Sequence, residues 1–551
     1  MAAQVVHLAS NIEQEISRPL ANFPPTVWGY DFASLPSFNS EIETYTKKVE
    51  VLKEMVKDML LFSKEDLIKN IEFINLLCRL GVSYHFEKEV EKQVDYIFNV
   101  FHGAIDNNYD LHTVALLFRV LRQHGYKISC DVFKRFKDSD GKFSETVSND
   151  VKGILSLYEA TFVSMRGEDI LDEALAFARP RLESLAMQSS PHLKKHIENA
   201  LNMPFHRGLP RVEARKFICF YEKEEPHNET LLKFAKLDFN RVQLMHKQEL
   251  GVVSRWWKEL DLAKDLPYAR DRIVEGYFES AGLQFEPKFA LSRIRLTKCI
   301  QILALVDDTY DSYGTLEELK CFTDALERGN AEQLPIDYLK IVYKAVLDFF
   351  AELENDEGNE GRSYCLNYTK ERFKEVVRSY LKESQWFYDR HLPPFNEYMH
   401  NALVSSCFAL LPPVFFLGVE KLAGVKEFEW LETNPKLVEA CKFFGRVVND
   451  MVARKDEEKE GHCLAGNCYM KEYSVSKEKA MEELRRMCDN AWKDVNEESM
   501  RPTVVPMPLI TSIVNLARVM EVVFQYDDGY TVATSLKDNV ILMFVEPLSE
   551  D

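Results

Sequence analysis

Leu303-Ala304-Leu305-Val306-Asp307-Asp308-Thr309-Tyr310-Asp311 is the stretch on which the reading of this chain turns. An apolar run ends abruptly in three carboxylates. On a helix, Asp307 and Asp311 lie four residues apart and share a face, with Asp308 beside them. Leu296, Ile300 and Leu303 precede Asp307 on nearly the same stripe, so a core-facing surface runs straight into acids. Unpaired buried carboxylates are costly and call for cations. Hard oxygen ligands at a substrate site suit magnesium, which keeps several waters and bridges to phosphate. The competing reading is a solvated acidic helix end, so the rest of the chain has to decide.

The chain has 551 residues, too many for one core. Its 46% hydrophobic and 12% aromatic content is that of a globular protein with sizeable cores. Against 69 basic residues stand 88 acidic ones, a net charge of -19. This excludes nucleic acid and an anionic membrane surface as expected partners. An anionic substrate then needs metal ions or a local arginine cluster to reverse the field. The eleven cysteines are scattered, with no CxxC pair, as reduced thiols would be. The opening residues, MAAQVVHLASNIEQEISRP, have neither the charged start and apolar core of a secretory signal nor the composition of an import leader. A cytoplasmic protein is expected. The best span candidate, residues 402–419, contains Ser405, Ser406 and Pro412-Pro413. It reads as a buried helix broken at the prolines, so no membrane span is expected.

Pro19, Pro24 and Pro25 forbid a regular helix in residues 1–35, which read as an extended arm. From Glu41 onward the apolar spacing is three and four, and no sustained alternation of period two predicts a sheet. The expectation is therefore all-α. A charged, proline-containing stretch at 222–232 separates two helical regions, 36–228 and 229–551. Residues 354–362 and 455–462 read as surface loops.

Two further sites complete a possible metal-diphosphate pocket. Asn449, Ala453 and Glu457 fall at i, i+4 and i+8, one helical face if the helix continues. Asn449 and Glu457 offer oxygen ligands to one magnesium. Arg446 sits a turn earlier on nearly that face, placed for a diphosphate oxygen. Arg270-Asp271-Arg272 supplies two guanidiniums, which bind phosphate bidentately and stay charged when desolvated.

From about Arg18 to Leu548 the sequence resembles the plant terpene synthases, specifically the sesquiterpene type. The resemblance rests on DDTYD at 307–311, Asn449-Asp450 with Glu457, and Arg270 with Arg272. Shared order supports it: Arg18-Pro19 before Trp28, RQHGYKIS (122–129), HRGLPRVEAR (206–215), SRWWKELDL (254–262), NALVSSC (401–407) and DGYT (528–531). It implies two helical domains. Residues 1–35 would cap the active site, 36–228 would form a non-catalytic helical barrel, and 229–551 would carry the class I terpenoid synthase fold. The acid motif DxDD of protonation-initiated cyclases is absent; the nearest string is Asp138-Ser139-Asp140-Gly141.

The resemblance further implies three magnesium ions, with manganese as a substitute, held by Asp307, Asp308, Asp311, Asn449, Asp450 and Glu457. Arg270, Arg272 and Arg446 would stabilise the departing diphosphate. Glu279, Ser405, Ser406, Phe524 and Tyr530 would face the substrate, and Asp528 would pair with Arg446 or position a proton acceptor. The implied reaction is ionisation and cyclisation of farnesyl diphosphate to a hydrocarbon or alcohol, by a monomer.

Four positions depart from the family pattern. Ala453 stands where Ser or Thr is usual, Glu279 where a pocket Trp is usual, and Phe524 near a common pocket Tyr. Gly329-Asn330 replaces a usual Trp-Asp and reads as structural. Ala453 and Glu279 keep a degenerate or weakly active paralogue open; a monoterpene-forming enzyme stays open as well, and so does a chain-elongating prenyltransferase of similar metal logic, against which the Asn/Glu second motif counts.

Overall fold

The structure is a computed structural model that describes Arg18 and residues 23–101, 109–332, 334, 336–355, 361–453 and 462–550. Residues 454–461, with Glu457 among them, lie outside the described residues, like most of the first 22 residues. Helices make up nearly all of the rest. Among the described residues no strand forms; the one bridge joins Lys137 and Phe143. No helix among them is long and apolar enough to cross a membrane.

Two hydrophobic cores divide the chain. One gathers Val49 through Phe239 and takes in Leu548. The other gathers Leu250 through Phe544 and draws in Phe32, Met203, Leu209 and Val212. The helix Glu229–Glu259 belongs to both: Leu231 to Phe239 face the first core, Leu250 and Val253 the second. Asn228 starts it by accepting from the Leu231 amide, which satisfies one of the orphan donors of a helix N-terminus. Polar contacts stitch the halves together. Asp238 accepts from Tyr84 and pairs with Arg241, and the Asn496 side-chain amide donates to the carbonyls of Phe162 and Ser164. Gly125 adopts φ +83°, and a Cβ there would meet the Ser499 carbonyl at 3.1 Å. Only glycine turns there while Arg501 packs against it, its amide donating to the Gly125 carbonyl.

The catalytic expectations concern the second core. Its central helix is Ala290–Ser312, buried on nearly every side. Arg293 on this helix forms a two-pronged ion pair with Glu249, which also accepts from Tyr277 at 2.9 Å. Three helices are thereby locked in register: 229–259, 273–283 and 290–312. Gly329 caps the next helix, Leu316–Arg328, in the left-handed conformation, which explains the glycine there.

Two details differ from the sequence expectation. The apolar stretch at 402–419 is broken, but ahead of the prolines. Helix Phe395–Ser405 ends, Cys407 takes φ +66°, and Pro412 and Pro413 open the helix Leu411–Leu417. Proline lacks only an N–H that a helix start leaves unused, so it begins the second helix rather than breaking one. The helix carrying Asn449 runs from Lys436 to Val452 and stops there; Ala453 is extended at ψ 142°. The face expected to run from Asn449 to Glu457 is therefore not one continuous helix.

Candidate active site

A cavity of about 330 Å³ opens among the helices of the second core. That lies within the roughly 300–1,000 Å³ usual for small-molecule sites. Asp307, Asp308 and Asp311 line it from the end of the helix 290–312, and Arg446, Asn449 and Asp450 from the helix 436–452. Ile300, Leu303, Phe408, Leu411 and Met520 supply apolar wall, joined by Phe23 from the arm. Gly445 makes the approach possible: a Cβ there would lie 2.0 Å from the Phe408 ring.

Arg270 is the hub of one side. Its Nη2 donates to Asp307 at 2.8 Å, its Nε lies 2.6 Å from Asp308, and its Nη1 donates to Thr531 at 3.0 Å. Its backbone amide donates to Asp308 at 2.7 Å, which leaves that residue fully enclosed. Burial disfavours the charge on Arg270, but Asp308 and Asp307 push its pKa well up, so it stays a cation. Burial, working against Arg270, raises Asp308 to about 6. Asp308 thus anchors Arg270, whereas Asp311 has no cationic partner among the described residues. Burial first, then Asp307 and Glu383, push the Asp311 carboxyl well above the usual carboxylate range.

Arg446 anchors the other side. It donates to Tyr398 Oη at 2.8 Å and lies 3.1 Å from Asp450. Tyr398 in turn donates to Asp450, which also accepts from the Ala465 amide. Asp450 is spent on holding Arg446, while Asn449 faces the cavity beside it.

Four more side chains expected from the sequence line the same space: Ser405, Ser406, Phe524 and Glu279. Ser405 donates to Glu383 at 2.6 Å. Asp528 accepts from the amides of Tyr530 and Thr531 and fixes that loop; it pairs with these rather than with Arg446. Tyr530 reaches the cavity with its hydroxyl buried and unpartnered. Arg272 does not line the cavity. Its donors go to the carbonyls of Tyr530, Thr531 and Pro24, so it ties the 530–531 loop to the arm instead of facing a diphosphate.

The donor set fits a hard divalent ion. It is all oxygen, and after burial Asp307 and Glu383 raise the Asp311 carboxyl while Asp307 and Asp450 raise that of Glu383, the mark of acids that share too little positive charge. Among the described residues no three acids, cysteines or histidines form a ready cage. Ligands so spaced need bridging water or phosphate, the habit of magnesium.

Residues 258–494 match the family described as "Terpene synthase family, metal binding domain", and residues 27–201 its N-terminal domain. A "Probable terpene synthase 6" of Ricinus communis is 53% identical over 97% of this chain and 99% of its own. The chain belongs to the terpene synthase family. A hedycaryol synthase of Camellia brevistyla is 47% identical over the whole of both chains. Casbene synthase, chloroplastic, of Ricinus communis is 48% identical over 98% of this chain and 91% of its own. Among solved structures, isoprene synthase from grey poplar, in complex with three Mg2+ ions and dimethylallyl-S-thiolodiphosphate, superimposes with a TM-score of 0.85 at 31% identity. It covers 92% of this chain and 98% of its own.

For a terpene synthase the residue that sequence reasoning missed is Glu383. It lies on the helix Ser363–Tyr388, lines the cavity, and stands 3.8 Å from Arg446. Burial raises its carboxyl, against Arg446 and the Ser405 bond. Only its position on a helix opposite both motifs reveals it, because a single Glu in KESQWFYD carries no spacing signal. On the arm, which the sequence already leads one to expect near the site, the unforeseen residue is Phe23. Arg18 pairs with Glu318 at 2.8 Å, donates to the Tyr313 carbonyl and stacks 4.3 Å over the Tyr313 ring, just beyond the aspartate helix. Phe23 lies 4.4 Å over the Arg270 guanidinium.

Proposed function

We propose that this terpene synthase ionises farnesyl diphosphate in a magnesium-dependent reaction and cyclises the chain to a hydrocarbon or alcohol, releasing diphosphate. One observation carries the reading: Asp307, Asp311, Asn449 and Arg446 line a single cavity together with the apolar side chains of Ile300, Leu303, Phe408, Leu411 and Met520. Asp307, Asp311, Glu383 and Asn449 would hold the metal, with Glu457 expected to join from outside the described residues. Bound magnesium would supply positive charge against the leaving diphosphate. Arg446, fixed by Asp450 and Tyr398, presents a pre-oriented guanidinium to the same oxygens. Arg270 is poised likewise, held by Asp308. Ile300, Leu303, Phe408 and Met520 exclude water and mould the prenyl chain, so the cation rearranges before it is quenched.

The resemblance to the sesquiterpene type and the end-to-end match to hedycaryol synthase support the fifteen-carbon substrate. We further infer a cytoplasmic monomer; all eleven cysteines are free thiols, as a reducing compartment keeps them. Incubation with geranyl, farnesyl and geranylgeranyl diphosphates and magnesium, followed by gas chromatography, tests the reading. Volatile fifteen-carbon products from farnesyl diphosphate are expected. Products from another chain length only would overturn the substrate, and no product from any would favour the degenerate paralogue.

A further inference from the structure

Helix Ile273–Leu283 is buried along its whole length, yet it carries two carboxyls one turn apart, Glu275 and Glu279. Glu275 is fully enclosed, and neither of its oxygens finds a well-formed hydrogen bond. Glu279 is 7% exposed, and what it sees is the cavity. No hydrogen bond or ion pair engages it among the described residues. Ile300, Leu303, Met520 and Phe524 line the same cavity, as does Tyr530, which feels the Glu279 carboxyl and whose hydroxyl is also unpartnered. The nearby acids, Glu275 on its own helix and Asp528 on the 524–531 loop, both oppose ionisation at Glu279. The cations on this side are committed elsewhere: Arg270 to Asp307 and Asp308, Arg272 to backbone carbonyls.

Resting on the farnesyl diphosphate reading, we propose that Glu279 is a catalytic acid that protonates a neutral olefin intermediate held in the cavity, then takes a proton back to form the product. The first cyclised cation loses a proton to the diphosphate released in the same site, leaving a neutral olefin. The Glu279 O–H bond then breaks as the π pair of that olefin forms a C–H bond. The adjacent carbon becomes cationic and the Glu279 carboxylate lies opposite it. Loss of a proton from a carbon beside the final cationic centre restores the carboxylic acid and creates the last C=C bond. No other co-reactant enters.

The state of Glu279 suits the first of these steps. Burial, then Asp528 and Glu275, raise its pKa to about 8, so it rests as the neutral acid near pH 7. Tyr530 is no competitor, because burial pushes its hydroxyl well above the usual phenol range. Asp307, Asp311, Asn449 and Arg446 line the same cavity, so the proton donor shares one enclosed space with the prenyl chain as it reacts.

Turnover of farnesyl diphosphate in D2O tests this. The wild-type product is expected to carry one carbon-bound deuterium, read by mass spectrometry. In Glu279→Gln the label per product molecule is expected to fall to background and the main product to change. Glu279→Asp, which keeps an acid, is expected to retain the label. Should Glu279→Gln fail to fold, Glu279→Met makes the same comparison. An unlabelled wild-type product, or a labelled product from the Gln or Met variant, would overturn the role of Glu279. Absence of diphosphate release in the wild type would instead overturn the reading on which it rests.

Discussion

Arg270 donates to Asp307 across 2.8 Å, so a fixed guanidinium already lies against the first carboxylate of the aspartate-rich motif. With Asp308 behind it, Arg270 keeps the acids of one cavity wall from repelling one another. It is also a preformed cation lining the cavity they share. Removing such a pre-oriented donor costs about 10²–10³-fold in the charge-developing step. Arg270→Ala is expected to slow diphosphate release by about that factor, and Arg270→Lys to recover little, because one ammonium cannot span three acceptors. Pre-steady-state measurement of diphosphate release checks both.

Ser405 holds Glu383 by a 2.6 Å hydrogen bond. Hydroxyls that orient a metal-binding carboxylate are worth about 10–100-fold in metal affinity. Ser405→Ala is therefore expected to raise the half-saturating magnesium concentration by about tenfold or more. A magnesium titration of the rate shows it; an unchanged titration would remove Glu383 from the metal site.

Glu275 carries a pH-dependent cost to stability. Burial raises its folded pKa to about 7 from an ordinary value of 4.5. Its neutral form is favoured in the folded protein, so its penalty is absent below about pH 4.5 and grows as pH rises through about 7. A shift of this size is worth on the order of 3 kcal/mol once complete. Glu275→Gln is expected to match the wild type near pH 5 and to exceed it at pH 8.5, as read by thermal unfolding at both pH values. A difference that does not change with pH would refute it.

The Arg293–Glu249 pair, both partners buried, fastens the aspartate helix to its neighbours. Arg293→Leu alone is expected to cost about 3–5 kcal/mol, because it strands a buried carboxylate. Replacing Glu249 with Leu as well is expected to recover most of that loss in denaturant unfolding.

The parts legible in the sequence were those with a period. Leu296, Ile300, Leu303, Asp307 and Asp311 follow the helical repeat and lie where that repeat puts them, on the buried helix that reaches the cavity. The same logic failed from Asn449 to Ala453, because the helix stops at Val452 and spacing alone contains no stop signal there. Arg272 and Arg270 look equivalent as letters. Only tertiary contacts send one to backbone carbonyls and the other to the acids. Glu383 was invisible because its neighbours in space, Ser405 and Arg446, are 22 and 63 residues away in sequence.

The central claim is that acids on two facing helices act together to pull diphosphate off a prenyl chain. Diphosphate release from farnesyl diphosphate, measured with and without magnesium for the wild type and for Asp307→Asn/Asp311→Asn, tests it most directly. The expected result is release that requires magnesium in the wild type and is lost in the double variant while the helical circular dichroism is kept. Magnesium-independent release, or equal release by the folded double variant, would contradict the account.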